Sequence, residues 1–259
     1  MKLYQKEFDA AFYIIQLAAE EISRGYFDNV GSWKKSDGSP VTIIDQKVDA
    51  MIVKYLRGLF PSHGFLTEES KDHLSRINDE FVWIIDPIDG TMEFINHQYE
   101  FVTNIALCHN HEIVMALISA PLTKEIFYAI KGEGAYRYHN GRKRKIHVSN
   151  KTDKLTCLTS PYHMSGDEEN YLKEHQEKFK DLMLAGAAYK ACLIASGKAD
   201  VSYRFGANTK EWDTAAPDLL VREAGGYFVD NNRKRIKYNK EDVINHDGFV
   251  MANKKENYF

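Results

Sequence analysis

Asp86-Pro87-Ile88-Asp89-Gly90-Thr91 sets two carboxylates three residues apart, at the end of the apolar run Phe81-Val82-Trp83-Ile84-Ile85. That run is short, β-branched and aromatic, with no polar member, and predicts a buried strand. The hexapeptide predicts the loop that ends it. Pro87 fixes one φ and removes one amide donor, and Gly90 permits a close approach by a ligand. Two anions held this near each other repel unless a cation sits between them. Carboxylates and backbone carbonyls are hard oxygen ligands that suit a divalent metal. Taken alone the segment also suits an ordinary turn, because Asp-Pro and Asp-Gly are turn dipeptides.

Three further acidic places bear on that choice. Gly64-Phe65-Leu66-Thr67 runs into Glu68-Glu69-Ser70, a strand end where paired acids are commonly solvated surface. Asp45 follows Val41-Thr42-Ile43-Ile44 where a helix should begin, so capping is its ordinary role. Asp213, in Glu211-Trp212-Asp213-Thr214-Ala215-Ala216, also stands at a helix start. There, as at Thr91 and the amides beside it, the partial positive charge of a helix N-terminus favours anions. Glu68, Asp86, Asp89 and Asp213 could thus bring four carboxylates to one cleft, which is costly without compensation. Two or more magnesium ions would neutralise them and clamp the attacking water and leaving oxygen of a phosphoryl displacement. No lysine-threonine phosphate loop supports transfer from a nucleoside triphosphate.

The scaffold that must position these residues is ordinary in composition. At 259 residues, 44% hydrophobic and 27% charged, the chain can bury a large core as one domain or two lobes. A net charge of −3 gives no basic field for a nucleic-acid polymer. No apolar run reaches the length of a membrane span, and Met1 to Glu7 leads into no signal-peptide core. Cys108, Cys157 and Cys192 are too scattered for a zinc pattern or a disulfide framework. They read as reduced, buried thiols of a cytoplasmic protein.

Phe8, Phe12, Ile15, Ala19 and Ile22 predict one face of a helix stopped near Gly25. Val48, Ile52, Tyr55 and Leu59 predict a second, ending at Pro61. Residues 71–80 read as a mobile polar loop; 99–107, 113–119 and 126–130 as strands; and the basic run Gly141-Arg142-Lys143-Arg144-Lys145 as a solvated turn rather than an anion patch. The pattern then restarts. A strand at 155–160 precedes a charged surface helix over 167–180, an alanine-rich helix over 187–196 and a strand at 199–203. A helix over 213–224, with Pro217 in about its first turn, stops at Gly225-Gly226, and strands at 227–229 and 248–251 finish the chain. This mixture predicts an α/β fold in which residues 1–259 form one catalytic unit of two lobes with a cleft between them. Residues 1–148 form the lobe with most of the metal ligands, and 149–259 the lobe with Asp213 and the elements of substrate specificity.

The order Thr67-Glu68-Glu69-Ser70, Asp86-Pro87-Ile88-Asp89-Gly90-Thr91, Trp212-Asp213-Thr214-Ala215-Ala216 resembles the inositol monophosphatase superfamily over about Val41 to Asn253. Three motifs in this order are far more specific than any one of them. The resemblance implies a lithium-sensitive, magnesium-dependent phosphomonoesterase with an α-β-α-β-α sandwich fold and two or three Mg2+ per site. It implies that Glu68, Asp86 and the Ile88 carbonyl hold one metal, and that Asp86, as a bridge, with Asp89 and Asp213 holds a second. The Gly90 and Thr91 amides would bind phosphate. Asp45 and the Thr91 hydroxyl match the pair that orients the attacking water, with Glu68 also counted as catalytic. Glu69 matches an acid that holds a third metal, and a solvated role stays equally open for it. Homodimers are common in the superfamily.

Within it, Lys35-Ser36-Asp37-Gly38-Ser39-Pro40-Val41-Thr42, Met92-Glu93-Phe94-Ile95, Asn104-Ile105-Ala106-Leu107 and Tyr203-Arg204-Phe205-Gly206 resemble the 3′(2′),5′-bisphosphate nucleotidases. That branch implies a small phosphorylated metabolite, adenosine 3′,5′-bisphosphate, as substrate. Lys190, Arg204 and His163 are then candidate contacts to it, alongside Glu68, Ile88, Asp89, Gly90, Thr91 and Asp213. Two departures stand against the branch: Gly186-Ala187-Ala188-Tyr189-Lys190 lacks its serine hydroxyls, and Ser160-Pro161-Tyr162-His163 lacks its arginine. The alanine pair is nearer the inositol-phosphate branch.

Overall fold

The structure, a computed structural model, describes residues 4–28, 31–35, 40–206 and 209–259. Of the quoted segment from Lys35 to Thr42, residues 36–39 lie outside the described residues. Helix α1 (Gln5–Phe27) precedes an antiparallel pair, β1 (Ser32–Lys34) and β2 (Pro40–Thr42), and helix α2 (Ile43–Leu59). β3 (Gly64–Thr67), β4 (Phe81–Asp89), the short helix α3 (Thr91–Ile95), β5 (Val102–His109), β6 (Glu112–Ala120), β7 (Glu125–Ile130), β8 (Gly134–His139) and β9 (Arg142–Ile146) follow. Their seven strands form one sheet in chain order, antiparallel except for β3 against β4. Next come β10 (Leu155–Thr159), α4 (Gly166–Glu174), β11 (Phe179–Leu184), α5 (Tyr189–Ala195), β12 (Val201–Arg204), α6 (Glu211–Glu223), β13 (Tyr227–Val229) and β14 (Phe249–Ala252). They give a mixed sheet in the order β11-β10-β12-β14-β13.

Four apolar clusters glue these elements into five layers. Alternation along β4 sends Trp83 and Ile85 into a cluster with Ile14, Ile15 and Ile22 of α1 and Val48 and Ile52 of α2. Val82 and Ile84 point the other way, to Cys192 of α5 and Ala216 and Leu219 of α6. That two-sided burial is why the run carries no polar residue. The far sides of α5 and α6, through Ile194 and Val221, meet Leu158, Phe228 and Met251 of the second sheet. The outer face of that sheet, Cys157, Val201 and Val250, is covered by Leu172 of α4. The result is the expected α-β-α-β-α sandwich. All three cysteines are free and buried. Among the described residues, no helix is long and apolar enough to cross a membrane.

Several boundaries differ from the sequence reading. α1 runs through Gly25, where a Cβ would come within 2.5 Å of Ile44 Cγ1, so this glycine serves close packing against α2 rather than termination. The polar stretch 71–80 is tied down by a 3-10 helix, Leu74–Asn78, whose Arg76 is 1% exposed. The expected helix over 167–180 ends at Glu174, because Phe179–Leu184 pairs in parallel with β10. The basic run is an edge strand, β9, whose four exposed cations deter pairing with another sheet edge. α6 begins at Glu211, which puts Pro217 inside the helix and leaves the Asp213 carbonyl, four residues earlier, without its helical donor.

Candidate metal and phosphate site

In a regular strand, residues three apart face opposite sides of the sheet. Asp86 and Asp89 escape this because β4 carries a bulge: Asp86 pairs with Asn104, but Asp89 pairs with Val102. Thr103 braces it by donating from its hydroxyl to the Pro87 carbonyl at 2.8 Å. The extra residue turns both carboxylates to one side. α6 brings Asp213 to the same place, and one carboxylate oxygen from each of Asp86, Asp89 and Asp213 lies within 4.8 Å of the others.

Their hydrogen bonds differ in a telling way. Asp89 Oδ2 accepts from Asn104 Nδ2 at 3.1 Å and from the Ala188 amide at 2.8 Å. Asp213 Oδ2 accepts from the Lys210 amide at 2.6 Å, the third-residue half of a capping box. Asp86 is 1% exposed, and neither of its carboxylate oxygens has a hydrogen-bond partner among the described residues. A buried, unpaired carboxylate beside two more acids is strongly unfavourable by itself. A divalent cation would supply the missing partner, and the all-oxygen donor set fits one.

Asp45 serves the start of α2, but as the third residue of a capping box rather than as its cap. The α2 cap is Thr42, whose amide donates to Asp45 Oδ2 at 2.8 Å and whose hydroxyl also donates to that oxygen. The other oxygen, Oδ1, accepts from the Thr91 hydroxyl at 3.3 Å. The same hydroxyl lies 3.2 Å from the Ile88 carbonyl. Gly90 adopts φ +98°, and a Cβ there would meet Ala187 Cβ at 3.1 Å and Glu93 Oε2 at 3.2 Å, so only glycine fits.

Glu68 and Glu69 are not among the three acids whose oxygens lie within 4.8 Å of one another, although Glu68 is the neighbour that most raises the Asp86 carboxyl after burial. Both bind Lys35, whose Nζ lies 2.8 Å from Glu68 Oε1 and 2.5 Å from Glu69 Oε1. Sequence reasoning used Lys35 only as part of a resemblance; its role as the cation over this acid pair needed the fold. Lys190, Arg204 and His163 line one cavity of about 340 Å³ together with Asp89 and Asp213. Lys190 Nζ donates to the Ala185 carbonyl at 3.2 Å. Arg204 donates to the His163 carbonyl and lies 3.5 Å from Glu168 Oε1, so much of its guanidinium is engaged within the protein.

Burial raises the carboxyls of Asp86 and Asp213 well above the usual range, and the neighbouring acids push the same way. Burial likewise lifts Asp89 to about 6 and Glu69 to about 7. An acid with a higher pKa in the folded than in the unfolded chain holds its proton more tightly when folded. Its stability contribution is therefore largest at the acid end and is lost as pH rises. In chelator, the melting temperature is expected to be higher near pH 5.5 than near pH 8, with the fall spanning about pH 4 to 7. Adding Mg2+ at pH 8 should restore it. Calorimetric scans across that window check both statements, and a metal-free melting temperature that climbs with pH would contradict the first.

A model of the inositol monophosphatase family matches residues 2–258. A 3′(2′),5′-bisphosphate nucleotidase CysQ of Aggregatibacter actinomycetemcomitans is 31% identical, over 92% of this chain and 90% of that protein. A putative Nus factor SuhB of Neisseria meningitidis is 29% identical, over 94% of each chain. Among solved structures, CysQ of Bacteroides thetaiotaomicron superposes with a TM-score of 0.83 at 32% identity, covering 96% of this chain and 97% of that one.

Proposed function

We propose that this chain, which belongs to the inositol monophosphatase family, is a magnesium-dependent phosphomonoesterase that hydrolyses adenosine 3′,5′-bisphosphate to AMP and phosphate. One observation carries the metal part of this reading: both buried oxygens of Asp86 lack a partner among the described residues, while Asp89 and Asp213 offer oxygens beside it. In this reading Asp86, Asp89, Asp213, Glu68 and the Ile88 carbonyl hold Mg2+, with Glu69 available to a further ion. Bound Mg2+ supplies positive charge for the phosphoryl oxygens and for the acids that face them.

The chain's own groups do the rest. The amides of Gly90 and Thr91 bind the phosphoryl group. Asp45 Oδ2 is occupied by the α2 cap, so Oδ1 is the oxygen that fixes the Thr91 hydroxyl. With its proton committed to Asp45, Thr91 presents a lone pair to the attacking water and orients it in line. Water oxygen bonds to phosphorus as the ester P–O bond breaks; one water proton leaves toward the Thr91–Asp45 pair, and the departing alkoxide takes one proton from solvent water, to which the pair returns its own. Residues 149–259 supply the specificity surface. Lys190, with Arg204 and His163 in the same cavity, faces the substrate's remaining anionic groups.

The nucleotide assignment is supported by the branch-like segments and by relatives that carry the nucleotidase name. The Ala187-Ala188 pair favours a second reading, a phosphatase for inositol 1-phosphate or another cyclitol or sugar phosphate. Phosphate release from adenosine 3′,5′-bisphosphate and from inositol 1-phosphate, measured side by side in Mg2+, decides between them. The nucleotide is expected to give a kcat/KM at least about 100-fold higher, the discrimination expected of a site built to pair a second charged group. Preference for the cyclitol would overturn the nucleotide assignment and leave the chemistry intact.

A further inference from the structure

Glu211 is fully buried, two residues before Asp213, yet the acid group does not include it. Its two oxygens point away from that group. Oε2 accepts from the Asn239 amide at 2.6 Å and Oε1 from the Lys240 amide at 2.9 Å, while the Glu211 amide donates to the Val243 carbonyl at 2.9 Å. Asn239, 1% exposed, carries the contact onward. Its Oδ1 accepts from Arg76 Nη1 at 2.7 Å, and its Nδ2 donates to the Arg76 carbonyl at 3.2 Å. Arg76 Nη2 also donates to the Lys240 carbonyl at 3.0 Å, and Asp72 takes Nε and Nη2 at 2.7 Å each, neutralising the buried charge.

These bonds join the two stretches of chain that hold the acids from opposite halves of the sequence. Arg76 sits in the connection between β3, which ends one residue before Glu68, and β4, which carries Asp86 and Asp89. Glu211 opens the helix that carries Asp213. We infer that Arg76, Asn239 and Glu211 form a buried bracket that fixes the first turn of α6, and so Asp213, against Asp86 and Asp89. They are positioning residues: none reaches the acids, and each acts through the backbone that presents them. This rests on the metal reading of the acid group. The bracket matters to a metal site because ligand oxygens must be held close before the ion arrives, against their own repulsion.

Asn239 has φ +58°, so Asn239→Gly removes the side-chain link without straining the backbone. Arg76→Lys keeps the charge but cannot reach Asp72, Asn239 and the Lys240 carbonyl together. Binding of Mn2+ alone, measured by calorimetry on the full chain, is expected to weaken roughly 10- to 100-fold in Asn239→Gly, as for other supports of ligand groups. In an Asp213→Asn background the same change should alter affinity by no more than about twofold, because the ligand it positions is already gone. Mn2+ affinity within twofold of the parent in both Asn239→Gly and Arg76→Lys would overturn the bracket. A fully additive loss in the double variant would overturn its action through Asp213. Should the parent bind no Mn2+, the metal reading fails, and exchange of the Glu211 and Asp213 amides tests the bracket by itself. Faster exchange in Asn239→Gly supports it and unchanged exchange overturns it.

Discussion

Asp213→Asn is expected to fold, to melt higher than the parent in chelator, and to lose on the order of 10²- to 10³-fold in kcat/KM. The asparagine carbonyl can still accept the Lys210 amide that Asp213 Oδ2 accepts at 2.6 Å, so the helix start survives. What disappears is one of three clustered carboxyls, whose charge, once ionised, repels those of Asp86 and Asp89 while no metal is present. Removing repulsion stabilises the metal-free fold; about 1 kcal/mol there corresponds to a rise of about 2–4 °C for a chain of this size. With Mg2+ the sign reverses. The parent gains about 2.7 kcal/mol at a hundredfold excess over Kd, and the variant should gain much less. Melting curves with and without Mg2+, run beside activity, separate a ligand from a core residue. Near-normal turnover in this variant would remove Asp213 from the ligand set.

The second large effect is expected at Asp45. Asp45→Asn should lower kcat by roughly 10²- to 10³-fold, the range for loss of a positioned proton acceptor. KM and Mn2+ affinity should hardly change. Asparagine has one accepting atom where aspartate has two. The Thr42 amide and hydroxyl both donate to one Asp45 oxygen, and Thr91 donates to the other. Keeping the α2 cap satisfied turns the Nδ2 donor toward Thr91, whose hydroxyl then falls back on the Ile88 carbonyl at 3.2 Å. Stability should drop by only about 1 kcal/mol, as for a weakened cap. Steady-state kinetics with thermal melts checks this, and an unchanged kcat would return Asp45 to a purely capping role.

Much of the fold was legible because its signals are local. Val82, Trp83, Ile84 and Ile85 announce a strand covered on both faces, and the spacing of Phe8 to Ile22 announces a one-sided helix. The two aspartates of β4 were legible for the same reason, being three residues apart in one segment. The bulge that turns them to one side was not, since it is defined by pairing with Asn104 and Val102 on another strand. Asp45 stands in the sequence where a cap belongs, yet the cap is Thr42, because a capping box uses both residues and sequence alone does not divide the labour. Gly25 looked like a stop for want of knowing that Ile44 crosses above it. Nothing local marks Arg76 for burial; its partner Asn239 lies 163 residues away. Lys35 over Glu68 and Glu69 was hidden in the same way, 33 and 34 residues from the acids it meets.

The direct test of the acid group is metal dependence in the unmodified protein. Chelator-treated chain is assayed for phosphate release from adenosine 3′,5′-bisphosphate and from inositol 1-phosphate, and Mg2+ is then added back while the melting temperature is followed. If Asp86, Asp89 and Asp213 are the ligands, both phosphate release and the melting temperature rise together with Mg2+. Turnover that persists in chelator, or a melting temperature indifferent to Mg2+, would contradict the account.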